Sequence, residues 1–334
     1  MSVKAVALLS GGLDSTLAVL LALRQNIAVQ AITFLTDFGC EASDTSSCSR
    51  SAAPAAARFG FDLKLAHLGE KFVDIVKRPR HGHGRNMNPC IDCRILMLRE
   101  AKALMEMTGA DFVITGEVLG QRPMSQRRDT LDLIARESGL KGILLRPLSA
   151  RLLPPTIPET KGMIDRKQLQ AISGRSRKVQ MTLAREFGLT DYPTPAGGCL
   201  LTDPIYSRRL KDLLRAEPDP GSDDLRLLRI GRHFRPSKDC KVIVGRNEQE
   251  NAVMETLRRP EDILLQVRDA GSPLVLLRGN EAGNYIAFGA ALCARYSDLK
   301  HSPAVSVSVM DAGGEQVVTT APAGQDAIDR HRIE

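Results

Sequence analysis

Two short segments and one distant cysteine carry the side chains of this 334-residue chain best suited to chemistry. The first is SGGLDS at residues 10–15, which follows the apolar run 4–9 and precedes residues 13–23, whose apolar positions recur at helical spacing. A turn from strand to helix presents unpaired N–H groups and the positive end of the helix dipole, so it suits an anion. Gly11 and Gly12 permit unusual dihedrals and close approach of a phosphate, while Ser10, Ser15 and Thr16 add hydroxyl donors. No lysine follows the glycines, which excludes both GxxxxGK[ST] and the GxGxxG dinucleotide fingerprint. Asp14 is a poor phosphate neighbour unless it faces Mg²⁺. A plain tight turn rich in Ser and Gly is the bland alternative.

The second segment is NPCIDC at residues 88–93, with Cys90 and Cys93 at the mouth of a helix expected over 94–107. There Arg94 and the helix dipole favour thiolates. Such a pair suits a redox dithiol, half a zinc site, or two ligands of an iron–sulfur cluster. Cys199, in PAGGCLLTDP beside Pro195, Gly197 and Gly198, adds a third thiol on a loop expected to be mobile. Three cysteines leave one iron of a [4Fe-4S] cluster open to hold sulfide. The alternatives are a persulfide on Cys199 attacked by Cys93, and structural zinc, for which no fourth ligand is evident. His81 and His83, in HGHGRN, suit phosphate or solvent as well as metal. Cys293 reads as core, Cys40 and Cys48 as a weak pair, and Cys240 lacks a partner at ligand spacing.

SGGLDS resembles the SGGxDS signature of the PP-loop ATP pyrophosphatases. The resemblance implies cleavage of ATP between its α and β phosphates, with pyrophosphate leaving and an adenylated substrate remaining. TGEVLGQRPMSQ at residues 115–126 is similar to the TGExxGQ segment, closed by SQ, of the 4-thiouridine synthetases, which thiolate tRNA. By that likeness Gly116, Gln121 and Ser125 line the nucleotide pocket, against the bland reading of a surface loop capped by Ser125. The tRNA 2-thiouridylases have a similar NPDxxC segment and a second cysteine far downstream. Here Cys90 stands where they carry Asp, which adds a soft ligand and favours the cluster. The C-terminal part resembles a small RNA-binding module of PP-loop thiolation-like proteins, related to a module of NFACT proteins, and neither a THUMP nor a rhodanese segment is evident.

Together these likenesses imply an ATP-dependent tRNA sulfurtransferase. It would adenylate a uridine carbonyl oxygen and replace it with sulfur, using ATP, Mg²⁺, a [4Fe-4S] cluster, tRNA, and sulfide or a persulfide carrier as sulfur donor. One rival is a PP-loop enzyme that inserts nitrogen, which needs no Cys199. The other is a non-catalytic RNA-binding protein with a relic loop.

These residues need a scaffold. Strands are expected at 4–9, 27–35, 62–67, 111–115 and 142–146, alternating with helices at 13–23, 49–59, 94–107 and 124–137. That alternation predicts an α/β fold with a doubly wound parallel sheet. Pro154, Pro155 and Pro158 force an irregular excursion before helices expected at 164–172 and 175–187. The stretch AEPDPGSDD at 216–224 reads as a linker between a domain over 1–215 and a second, smaller α+β domain over 225–300. In the latter, strands are expected at 225–231, 241–245, 263–267 and 274–278, with helices at 248–257 and 285–295. Residues 301–334 read as a tail, partly disordered.

Composition sets the class. With 43% hydrophobic and 25% charged residues and no apolar run of membrane-spanning length, a membrane protein or partner is not expected. Seven irregularly spaced cysteines are unlike a secreted disulfide framework, and a cytoplasmic location is expected. The net charge of +7 favours polyanions. Lys77, Arg78, Arg80 and Arg85 precede the cysteine pair without an intervening acid, so RNA is expected to cross there. A second basic stripe, 226–246, holds seven Lys or Arg against Asp239.

Overall fold

Lys4–Leu8 (β1) is a strand whose last four residues are all buried, as an apolar run covered on both faces must be. In the computed structural model, which describes residues 2–39, 48–190, 192 and 199–333 without the side chains of 48–51, β1 is central to the first of two compact units, Met1–Thr202 and Asp203–Glu334. In the first unit β1 is followed by α1 (Leu13–Leu23), β2 (Ala28–Leu35), α2 (Cys48–Phe59), β3 (Asp62–His67), α3 (Gly69–Lys77) and α4 (Cys90–Thr108). Then come β4 (Phe112–Thr115), α5 (Arg128–Glu137), β5 (Leu144–Leu145), α6 (Ile157–Thr160) and α7 (Lys178–Glu186).

The strand order is β3-β2-β1-β4-β5, with every pairing parallel. Side chains alternate across the sheet: Ala5, Ala7 and Leu9 enter the core shared with Ala18 and Ala22 of α1, while Val6 and Leu8 enter the core shared with Ile95 and Leu98 of α4. This is the expected doubly wound α/β sheet. Its order reverses at β1, so the carboxyl ends of β1 and β4 form the switch point at which such sheets bind ligands in a crevice.

Several local expectations are corrected. The helix expected over 164–172 is only a 3-10 turn at Arg166–Gln168. The helix expected from 124 begins at Arg128, because residues 120–126 fold into a turn in which Gly120 N donates to Gln126 O and Gln126 N to Arg122 O. The fifth strand shrinks to Leu144–Leu145. Helix α3 was not anticipated; it buries Phe72 and Val76, four residues apart.

The second unit contains α8 (Pro204–Ala216), α9 (Ser222–Leu227), β6 (Arg232–Ser237), β7 (Cys240–Val244), α10 (Glu248–Thr256), β8 (Ile263–Val267), β9 (Val275–Arg278), α11 (Ile286–Arg295), β10 (Val305–Asp311), β11 (Gly314–Thr320) and α12 (Gln325–His331). Its antiparallel sheet runs β11-β10-β8-β9-β7-β6. The strand expected over 225–231 is instead the end of α9 and a turn, with β6 starting at Arg232.

The expected tail is folded. Val305, Val307 and Val309 point into the core at period two while β10 pairs with β11, and Ile328 of α12 joins the same core. The unit boundary also precedes the Pro- and Asp-rich stretch. The Arg209 side chain of α8 donates to Leu228 O and Gly231 O, and Asp212 of α8 bonds Arg235 and Lys241, so α8 belongs to the second unit. Among the described residues no helix is long and apolar enough to cross a membrane.

Candidate functional site

The SGGLDS turn sits at the carboxyl end of β1. Gly11 has φ 73°, in the left-handed region that favours glycine, and extended Gly12 caps α1. The Gly12 carbonyl accepts from Thr16 N at 3.1 Å, Thr16 Oγ1 at 3.1 Å and Ser15 Oγ at 2.9 Å. Ser10 N donates to Ser15 Oγ at 3.2 Å. The hydroxyls thus brace the turn.

The loop after β4 closes against it. A Cβ on Gly116 would lie 2.5 Å from Ser15 Cα and N, so only glycine permits this contact. Gln121 Nε2 donates to Asp14 Oδ2 at 3.1 Å. Among the described residues the buried Asp14 Oδ1 has no hydrogen-bond partner, an orphaned acceptor of the kind a cation satisfies. Gly116 and Gln121, expected to line a nucleotide pocket, therefore meet SGGLDS. Ser125 is buried and makes no bond to that turn among the described residues, whereas Gln126, not singled out in the sequence, closes the GQRPMSQ turn by accepting from Arg122 N at 3.1 Å.

Glu117 was also missed. It is 2% exposed, accepts from Arg146 Nε at 2.9 Å and Thr115 Oγ1 at 3.1 Å, and faces Arg94 Nε at 3.3 Å. Burial pushes its carboxyl up, but Arg146 and Arg94 outweigh that and hold it below the usual range. Glu117 thus ties the loop after β4 to the residue after Cys93. An acid inside TGEVLGQ with two distant arginines has no local signal that could have revealed it.

The thiols approach the same end. Cys90 opens α4, and Cys93 N donates to Pro89 O at 2.8 Å. Just upstream, Met87 N donates to Leu201 O and Asn86 Nδ2 to Thr202 O, stitching the NPCIDC segment to the turn that follows Cys199. Cys199 Sγ donates to Phe38 O at 3.5 Å, and the charges of Cys199 and Cys90 both act on Cys93. The expected thiolates are corrected. Enclosure of the Cys93 thiol pushes it up to about 12 against the pull of Arg94, with Cys199 and Cys90 reinforcing the rise. Burial raises Cys90 too, opposed by Arg122 and Arg94.

Among the described residues no three His, Cys, Asp or Glu side chains group closely enough to hold a metal ion, so the expected convergence of Cys90, Cys93 and Cys199 on a ready-made site is corrected. The donors are of the type an iron–sulfur cluster takes: three soft sulfurs, of which Cys93 is raised chiefly by burial and further by Cys199 and Cys90. Pro195, Gly197, Gly198 and Cys40 lie outside the described residues, as does the side chain of Cys48. Cys293 is core, as expected, and Cys240 is buried.

The histidines are structural. His81 Nδ1 lies 3.0 Å from Asp92 Oδ1 and its Nε2 3.3 Å from Glu137 Oε1, while His83 Nε2 lies 2.8 Å from Val76 O. Arg78, Arg80 and Arg85 are exposed and Lys77 half-buried at the end of α3; Arg80 pairs with Glu137 at 3.4 Å. The stripe 226–246 is largely neutralised, with Arg226 on Asp223, Arg246 on Glu250, and Arg235 with Lys241 on Asp212. Lys241 is buried, which pulls it down to about 8 despite Asp212.

With this geometry in view, residues 1–151 match the family model described as thiamine biosynthesis protein (ThiI). Residues 231–332 match the NFACT protein RNA binding domain. The chain is 25% identical over 154 residues to a protein described as "Probable tRNA sulfurtransferase" of Thermococcus kodakarensis, covering 43% of this chain and 36% of that one. It is 28% identical over 241 residues to the tRNA-specific 2-thiouridylase MnmA of Pelotomaculum thermopropionicum, covering 63% of this chain and 58% of that one. The chain thus spans between about a third and three fifths of these relatives.

Among solved structures, the U34-tRNA thiolase NcsA from Methanococcus maripaludis with its [4Fe-4S] cluster is 18% identical, with a TM-score of 0.34 over 68% of this chain and 72% of that one. A 4-thiouridine synthetase–RNA complex with bound ATP is 22% identical, with a TM-score of 0.34 over 55% of this chain and 50% of that one. Such scores are too low to bear on chemistry.

Proposed function

We propose that this protein is an ATP-dependent tRNA sulfurtransferase that adenylates a uridine carbonyl oxygen, releasing pyrophosphate, and replaces that oxygen with sulfur. The observation that carries this reading is the joining of the loops after β1 and β4 beside three cysteines. Gln121 reaches Asp14, and the next residue, Arg122, acts electrostatically on Cys90 and Cys93. An activation site and a sulfur site on one crevice are what thiolation needs, and an amidating PP-loop enzyme has no use for the thiols.

In this reading the N–H groups of Gly11 and Gly12, with Ser10, Ser15 and Thr16, cradle the ATP phosphates. Asp14 would hold Mg²⁺ through Oδ1, and the ion would offset the charge gathering on the departing pyrophosphate. Gly116 and Gln121 keep the nucleotide loop in place, with Ser125 assigned to the same pocket. Adenylation makes the base oxygen a leaving group, and AMP departs when sulfur attacks the carbon.

Cys90, Cys93 and Cys199 would hold a [4Fe-4S] cluster, whose open iron would supply a site for sulfide. A second reading, favoured by the electrostatic contact of Cys199 with Cys93, keeps sulfur as a persulfide on Cys199, which Cys93 attacks. Sulfide would supply the cluster route and a persulfide carrier the second route. In the latter, attack by Cys93 forms a Cys93–Cys199 disulfide and releases the outer sulfur as hydrosulfide to the activated carbon, an external thiol then reducing the disulfide. Lys77, Arg78, Arg80 and Arg85 are assigned to tRNA, as is the C-terminal module, and the protein to the cytoplasm.

Anaerobically prepared protein should contain about four irons with broad absorbance at roughly 400 nm. Cys90→Ala, Cys93→Ala or Cys199→Ala should remove both, and a deletion strain should lose a thiouridine from its tRNA. Iron-free protein that thiolates tRNA fully would select the persulfide route; unchanged thionucleosides in the deletion strain would overturn the function.

A further inference from the structure

The cations nearest the cysteines in sequence are not the only ones suited to reach RNA at the crevice. Arg80 is engaged by Glu137, and four of the seven basic residues in 226–246 are held by acids. By contrast, the side chains of Arg122, Arg175 and Lys178 are exposed and make no ion pair or hydrogen bond among the described residues.

They also share one lip. Arg122 lies in the turn whose preceding residue, Gln121, bonds Asp14. That turn is joined to the GRSRK segment at 174–178: Leu119 pairs in parallel with Ser173, and Gly174 N donates to Leu119 O at 2.8 Å. Ser149 Oγ links the two strands of this contact, accepting from Leu119 N at 2.9 Å and donating to Ile172 O at 2.7 Å. The backbones approach so closely that a Cβ on Gly120, itself at φ 74°, would lie 3.6 Å from Gly174 N. Nearby, Arg177 Nε and both amide atoms of the fully buried Gln180 have no partner among the described residues, so the start of α7 holds polar groups that those residues leave unmet.

We propose that Arg122, Arg175 and Lys178 form a lip of the nucleotide crevice that grips the RNA phosphate backbone and brings the target base to the activated phosphate. This rests on the thiolation reading and adds a partner surface to it. Three exposed, unpaired cations on a hydrogen-bonded pair of turns suit a run of phosphates better than one compact anion. Neutralising phosphates releases counterions, so each such contact steepens the salt dependence of binding.

The test uses the full-length protein and a mixed tRNA fraction, with affinity measured across salt concentrations. The triple variant Arg122→Gln, Arg175→Gln and Lys178→Gln should flatten the slope of log affinity against log salt by about two to three, at ~0.7–0.9 per lost phosphate contact. A charge-matched control, Lys64→Gln, Lys141→Gln and Lys161→Gln, removes three exposed lysines of the same unit and should leave the slope in place. An unchanged slope in the lip variant, an equal loss in the control, or a loss confined to ATP binding would each overturn the proposal. Binding is read without turnover. A lip effect in a protein that forms no thiouridine would therefore sink the proposed function alone, and an unmoved slope in one that does would sink the lip alone.

Discussion

At the residue scale the crevice depends on a few atoms with no slack. Asp14 has one carboxylate oxygen held by Gln121 and one held by nothing, while Gly116 sits against the Ser15 backbone. Asp14→Asn keeps the acceptor for Gln121 and removes the charge a divalent ion would need. It should lower RNA-dependent pyrophosphate release by about 10²-fold or more, the usual scale for losing one preorganised electrostatic group. The unfolding midpoint should stay near that of the parent. Parental rates of pyrophosphate release would show that Asp14 does not serve the nucleotide.

At the element scale the buried Glu117 connects three segments: Thr115 at the end of β4, Arg94 in α4 and Arg146 just after β5. Its carboxyl is held below its ordinary value, so its ionised form is worth more in the folded protein than in the unfolded chain. That stability is present above the ordinary carboxylate pKa and is lost as pH falls through the depressed folded value. Glu117→Gln leaves two arginines facing a neutral amide and should cost about 3–5 kcal/mol, the range for breaking a buried ion pair. It should also flatten the acid limb of a stability–pH curve measured by urea unfolding. A curve as steep as the parent's would remove Glu117 from this role. The α5 start was misplaced because Gln126 bonds back to Arg122 and accepts from Gly120 N, a local turn that helical periodicity does not register.

At the scale of the whole molecule the two units have separate cores, Ala5, Ala7 and Phe112 in one and Phe234, Val242 and Val307 in the other. The boundary has a testable consequence. A fragment of residues 203–334 keeps Arg209 and Asp212 and should unfold cooperatively. A fragment of 225–334, cut at the Pro- and Asp-rich stretch, leaves buried Lys241 and half-buried Arg235 without Asp212. It should be less stable by about 3 kcal/mol or more. Equal urea midpoints for the two fragments would place the boundary at 216–224 after all.

What could be read directly from the residues was whatever depends on local spacing. Strand and helix alternation specified the parallel sheet, since apolar runs covered on both faces and crossover helices leave few other arrangements. The glycines and hydroxyls of SGGLDS, and the pair Cys90 and Cys93, were visible because each acts within one turn of chain. The period-two valines of 305–309 were equally local and were obscured by the polar residues around them. Tertiary structure alone decided which distant groups meet: Gln121 on Asp14, Glu117 between Arg94 and Arg146, Cys199 beside Cys93, and Asp212 under Lys241. It also decided which charges are spent inside the fold and which remain for a partner. Local spacing sets the direction a side chain takes from its own backbone, but a charge is neutralised or a thiol buried by atoms that arrive from elsewhere in the chain.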